Sequence, residues 1–317
     1  MAAASCTDAE FIQLWKKHGN PTGVAEHLGI AVRNVYSRRN RIQQAHGVDL
    51  ATDKPLTSIK TRYVKPQDGV RALADVTGYV IVFSDAHFYP GEQSLGLQAL
   101  LCLIKDLKPK IVIANGDILD GNSIHSHGPL GWEENAPTLK EELDAVQDCM
   151  SKIQKAAKGA VLMRTIGNHD IRYDRRLAMT ASEYRGIKGT TLKDHLPHWD
   201  VSWSVFINGN TMVKHRIAGG IHSAYNNTLR GGCHVVTGHT HLLEVKPWTD
   251  YTGRRYGVST GMLADPTDAQ FRYAEDNPRP WAQGFAVLKY DEDGMLMPPE
   301  LCEVVNGRAY FRGGVVV

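Results

Sequence analysis

The 317-residue chain is short of almost everything that would place it in a specialised class. Its five cysteines (Cys6, Cys102, Cys149, Cys233, Cys302) are scattered, odd in number and never spaced C-x-x-C. That excludes a disulfide framework and predicts a reducing, cytoplasmic setting. No apolar run approaches the ~18 residues a membrane helix needs, so no membrane partner is expected. The start Met-Ala-Ala-Ala-Ser-Cys lacks a basic stretch followed by an apolar one, so it does not read as a signal peptide. Charge of one sign is missing too. Thirty-six Lys and Arg face 34 Asp and Glu, for a net charge of +2. No global field draws in nucleic acid, and any basic surface must be local. Internal repeats and low-complexity tracts are absent. An apolar content of 42% is ordinary for a soluble globular protein. The length allows one domain of about 240 residues plus a small module.

What is present is a set of short polar motifs in a fixed order. They are Asp85-Ala86-His87, Gly116-Asp117, Gly167-Asn168-His169-Asp170, His215 and Gly238-His239-Thr240-His241. Asp, Asn and His are the oxygen and nitrogen donors that hold divalent metals, and no Cys sits among them. Apolar β-like runs precede the first three motifs: residues 79–83, 111–114 and 161–163. Val235-Val236 precedes the last. Ligands at the carboxyl ends of strands are where α/β sheets place active sites. In an extended segment residues i and i+2 point the same way. On that reading Asp85 and His87 reach one metal together, and so can His239 and His241.

The order D-x-H, G-D, G-N-H-[DE], H, G-H-x-H resembles the calcineurin-like metallophosphoesterase superfamily, with all its blocks present over residues 85–241. The resemblance implies an α/β fold, a four-layer α/β/β/α sandwich of two mixed sheets. It implies two divalent metal ions, with manganese first and iron, zinc or nickel also acceptable to such donors. It assigns Asp85, His87, Asp117 and His241 to one metal, and Asp117, Asn168, His215 and His239 to the other. Asp117 bridges them. His222 competes with His215, which is followed by Arg216 where the family often has Gly; His215 is preferred. His169 would be the general acid or a phosphate contact, with Asp170 holding its imidazole or capping the next helix. Arg172 and His125 are candidate substrate contacts, and His127 lies in the same loop as His125. The resemblance implies a phosphoesterase in which a metal-bridged hydroxide attacks phosphorus.

Residues 8–46 read as three short helices. Ala25, Gly29 and Val35 fall at the spacing of a helix-turn-helix, where a small residue permits close packing and Gly takes a left-handed turn. The third helix carries Arg33, Asn34, Ser37, Arg38, Arg39 and Arg41, with no acid between Ala31 and Ile42. Such a helix suits phosphate contact and major-groove reading. The plainer reading is a three-helix bundle with a solvated basic face, or a protein-docking module. The expected layout is a helix-turn-helix domain at 1–46, a linker at 47–78 with an edge strand near Ile59–Val64, and a catalytic domain at 79–317. The layout looks like phosphoesterases of bacteriophages and prophages. DNA is therefore the expected partner, and nuclease-like phosphodiester hydrolysis the expected activity. The alternatives are a phosphomonoesterase, a small-molecule or cyclic-nucleotide phosphodiesterase, and a non-catalytic DNA-binding regulator. Trp132, Trp199, Trp203, Trp248 and Trp281 read as core or rim residues.

Overall fold

The computed structural model describes residues 6–48, 50, 61–64, 71–124 and 136–317. The chain divides into two compact units, Met1–Ser58 and Ile59–Val317.

The first unit is built from three helices with strong end signals. Helix α1 (Asp8–His18) opens on a capping box between Thr7 and Glu10 and ends at left-handed Gly19. Helix α2 (Pro21–Leu28) is capped by the Asn20 side chain, starts with Pro21 and ends at left-handed Gly29. Helix α3 (Val32–His46) follows after Gly29-Ile30-Ala31. Phe11, Trp15, Val24, Ala25, Val35, Ile42 and Leu50 form a buried core. The basic face of α3 is divided between two tasks. Arg38 reaches the Cys6 carbonyl and the Asp8 carboxylate, and Arg41 lies 2.8 Å from Asp8. The Arg39 guanidinium sits 5.5 Å from the Trp15 ring and 5.4 Å from that of Tyr36. Arg33, Asn34 and Ser37 are exposed. Arg38 and Arg41 therefore tie α3 to α1 as well as carrying charge.

The second unit holds two sheets. Its strands are β1 (Thr61–Val64), β2 (Arg71–Ala74), β3 (Gly78–Phe83), β4 (Ile111–Asn115), β5 (Val161–Thr165), β6 (Asp200–Ser202), β7 (Ser204–Ile207), β8 (Thr211–Val213), β9 (His234–Thr237), β10 (Leu243–Asp250), β11 (Gly253–Thr260), β12 (Gly284–Tyr290), β13 (Glu300–Val305), β14 (Arg308–Phe311) and β15 (Gly314–Val315). One sheet runs β1-β2-β7-β8-β9-β11-β10 and the other β15-β14-β13-β12-β3-β4-β5-β6. Both mix parallel and antiparallel pairs. The stretch read as a linker thus supplies β1, β2 and the first residue of β3. β2 pairs parallel to β7, which makes it part of the sheet.

Alternation along the central strands fills two cores. Val80, Val82, Ile111 and Ile113 face Val205, Ile207, Val213, Val236 and Val258 of the other sheet. Ile81, Phe83, Val112 and Ala114 face the helices α4 (Leu95–Leu107) and α5 (Leu139–Ala156). These strands are buried on both faces, which is why they read as continuous apolar runs. Helix α6 (Asp170–Thr180) follows β5, and α7 (Ser223–Gly231) packs on β9, β10 and β11. Among the described residues no helix is long and apolar enough to cross a membrane.

In the first unit, Arg38→Ala should speed amide hydrogen exchange in α1 and α3 of the full-length chain, while Arg33→Ala should leave it unchanged. Equal protection in the two variants would show that the Arg38–Asp8 contact does not hold the unit together.

Candidate metal centre

The motif residues converge on the carboxyl ends of β3, β4, β5 and β9 and on the turn after β8. They do not do so as extended strand. Asp85, His87, Asp117, His239 and His241 all have left-handed backbones, with φ of 50°, 38°, 53°, 70° and 58°. The expected side-by-side projection of residues i and i+2 is therefore replaced by a series of tight bends. Each such residue costs about 1–2 kcal/mol relative to ordinary backbone. Main-chain bonds from Asp85 N to Gly116 O (3.1 Å) and from His87 N to Asp117 O (3.0 Å) hold the bends in place.

Two motif glycines are required by close approach. A Cβ on Gly167 would meet Asp117 Oδ1 at 2.0 Å, and one on Gly238 would meet Ser84 Oγ at 2.3 Å and Asp85 Oδ2 at 2.5 Å. The glycines let neighbouring loops close around the carboxylates.

Asp85, His87 and His241 bring their ligand atoms within 4.8 Å of one another, as do Asp117, His215 and His239. His87, Asp117 and His169 form a third such group. Asp85, His87, Asp117, His215 and His241 are buried. Buried polar atoms normally find a hydrogen-bond partner. Yet His87 Nε2, Asn168 Oδ1 and His241 Nδ1 have none, and Asp85 Oδ1 and His215 Nε2 meet only fellow donors, the former 3.3 Å from His241 Nε2. His215 Nε2 and Asp117 Oδ2 face each other at 3.0 Å. The opposite nitrogens are engaged. His87 Nδ1 meets Asp120 Oδ1 at 2.9 Å, and His215 Nδ1 meets the Asn115 carbonyl at 2.8 Å. Anchoring one ring nitrogen and leaving the other bare is how proteins orient imidazole ligands. The donor set fits a pair of divalent cations sharing Asp117. His222 is exposed, just before α7, and belongs to none of these groups.

The assignment of Asp170 as the partner of His169 is corrected. The Asp170 carboxylate accepts backbone N–H groups from Asp117, Ile118, Leu119 and Gly167 at 3.0–3.3 Å. It builds the loops and does not touch the His169 ring. Asp120, which sequence reasoning missed, takes the expected role. His169 Nδ1 donates to the Asp120 carbonyl at 2.8 Å, and the Asp120 carboxylate lies 3.5 Å away. The only signal was an Asp three residues after Asp117. Burial favours the neutral His169 ring, but the Asp120 and then Asp117 carboxylates outweigh it and hold the imidazole above its ordinary value. Arg172 Nη1 donates to the Asp120 carbonyl at 3.0 Å, and Nη2 lies 3.1 Å from His169 Nε2. His125 and His127, like Trp132, lie outside the described residues.

No protein-family model matches the chain. Two phage proteins are similar to it, both named only Gene 54 protein. The one from Mycobacterium phage L5 is 28% identical over 261 residues, covering 74% of this chain and 97% of its own length. That from Mycobacterium phage D29 is 27% identical over 259 residues, with the same coverage. Among solved structures, an archaeal phosphodiesterase overlays 71% of this chain and 99% of its own, at 15% identity and a TM-score of 0.36. A purple acid phosphatase from yellow lupin (Lupinus luteus) seeds overlays 76% of this chain and 55% of its own, at 12% identity and a TM-score of 0.39. Overlays this loose carry no argument about chemistry, which rests on the side chains above.

Asp117→Asn should lower the metal content of the purified chain, because it removes a buried carboxylate that belongs to two of the three donor groups. Retention of two metals per chain would refute the shared-carboxylate geometry. A second expectation concerns the metal-free protein. Burial favours the neutral His215 ring, but Asp117 and then Asp85 push it from 6.5 up to about 10. Its protonated form therefore contributes stability fully below about pH 6.5, and that contribution is lost as pH rises through about 10. Thermal melts of chelator-treated protein should fall in Tm over that range, and His215→Asn should flatten the fall.

Proposed function

We propose that the chain is a metal-dependent phosphoesterase that hydrolyses phosphodiester bonds in nucleic acid. The observation that carries the reading is the pair of bare, inward-facing donor sets that meet at Asp117. Asp85, His87 and His241 would hold one cation, Asn168, His215 and His239 the other, and Asp117 both. Two divalent cations held there would supply Lewis acidity toward a phosphoryl group and an acidified water.

The protein's own residues supply positioning and a proton. His169 is the candidate donor to the leaving oxygen. A guanidinium can only donate, so with Arg172 against it His169 Nε2 is the unprotonated acceptor. A phosphate in the site draws Arg172 off the ring. The imidazole, held at Nδ1 by Asp120, is then available to carry a proton. Asp120 is a positioning residue, since it acts through His87 and His169.

The substrate class is supported by the first unit, which presents exposed Arg33 and Asn34 at the start of α3. Similarity to two mycobacteriophage proteins suits a phage-type protein. In this reading α3 holds DNA through phosphate contacts, and the second unit cuts it.

With Mn²⁺ the chain should cleave DNA, and chelation should abolish cleavage. His169→Asn should lower kcat by about 10²–10⁴-fold on esters with poor leaving groups and less on a nitrophenyl diester. Equal losses on both would remove His169 as proton donor. Arg33→Ala with Asn34→Ala should flatten the salt dependence of DNA binding, by about 0.9 in log–log slope for each phosphate that the variant no longer neutralises. Hydrolysis of small esters with no cleavage of any DNA or RNA would replace the nucleic-acid reading with a small-substrate phosphoesterase.

A further inference from the structure

The segment between β11 and β12 lies against the metal centre and carries aromatic rings that the reading above does not use. Its short 3-10 helix, Ala269–Ala274, is tied to the centre by Gln270, whose Nε2 donates to the His87 carbonyl at 3.3 Å. Phe271 is buried, with its ring centroid 5.3 Å from His87 and 6.1 Å from His241. Trp281 lies 4.7 Å from His241 and 5.7 Å from Phe271. Tyr273 completes the cluster, 6.4 Å from Phe271 and 6.2 Å from Trp281. Buried Phe271 thus supports two outer rings, Tyr273 and Trp281, directly beside metal-ligand candidates.

The outer rings differ from ordinary core aromatics. Tyr273 is 49% exposed, and Trp281 is half-buried. A mounted, half-exposed ring leaves apolar area in water that a flat ligand would cover. Groups of both signs act on the cluster. The Arg279 guanidinium stands 5.7 Å from the Trp281 ring. Burial and the Asp120 carboxylate raise the Tyr273 phenol above its ordinary value, while Arg279 and Arg172 oppose them.

We infer that Tyr273 and Trp281 form a stacking platform for the nucleobase next to the scissile phosphate, with Arg279 beside it for the flanking phosphate. The inference rests on the nucleic-acid phosphoesterase reading and names how that site would grip its substrate. Every base has a π-face, so the platform would bind without strong sequence preference and would favour single-stranded or unpaired nucleotides over duplex. It also separates two kinds of phosphate ester, because an ester with no ring would gain nothing from it.

The test uses the Mn²⁺-loaded full chain and two probes, the phosphonate isosteres of AMP and of ribose 5-phosphate. Neither has an ester bond to phosphorus, so both can be titrated at equilibrium by calorimetry. The AMP isostere should bind about tenfold or more tighter, the scale of one base–aromatic stack. Tyr273→Leu should bring that ratio toward one, and Tyr273→Phe should restore it. Equal affinities in the wild type, or a ratio that survives Tyr273→Leu, would overturn the platform. Failure of the underlying reading appears separately, as a wild type that cuts no DNA or RNA whatever the ratio.

Discussion

The buried carboxylate of Asp170 draws together two loops that are about 50 residues apart in the chain. Its oxygens accept N–H groups from Asp117, Ile118 and Leu119 on one side and from Gly167 on the other. That arrangement seats the Asp117 side chain against Gly167, where no Cβ would fit. It also brings Asn168 and His169 beside Asp117, with the His169 main-chain N–H donating to Asp117 Oδ1 at 2.8 Å. The position of Asp117, and so its place between the candidate donor groups, follows from this contact.

Around it, strand termini do the work usually left to long loops. β3, β4 and β5 run parallel and adjacent, so their carboxyl ends deliver Asp85, Asp117 and Asn168 in sequence across the sheet edge. β9 of the other sheet delivers His239 and His241, and the turn after β8 delivers His215. Packing of the two sheets through Val80, Val82, Val213 and Val236 sets the gap that the ligands span. Stability of the sandwich and geometry of the centre are thus the same property.

The central strands and the ligand set were legible in the sequence for different physical reasons. Residues 80–83 and 111–114 are buried on both faces, so composition alone marks them. The ligands were legible through the order of their motifs, and not through strand geometry, since five of them adopt left-handed backbones. Asp120 was not legible: its role depends on folding that brings His87 and His169 to it. Asp170 was misread because its sequence neighbour is His169, while its hydrogen bonds go to the main chain. Helix α7 was missed because Asn226, Asn227 and Gly231 are weak helix formers, held helical by packing on β9 and β11. Strands β13 and β14 were missed because only alternate residues such as Cys302, Ala309 and Phe311 are buried. The aromatic cluster of Phe271, Tyr273 and Trp281 has no motif at all, since its rings meet only through the path of one irregular segment.

The left-handed backbones also decide how an inactive form of this protein is best made. An alanine replacement at Asp85, His87, Asp117, His239 or His241 removes a donor while keeping a Cβ in a conformation that disfavours it. Asparagine tolerates that conformation better than most residues. Asparagine replacements therefore remove the carboxylate charge or the imidazole with the least disturbance of the bend that carries it, leaving an amide oxygen as a weaker donor. A set of asparagine variants would separate loss of chemistry from loss of fold, whereas an alanine scan of the same positions would confound them.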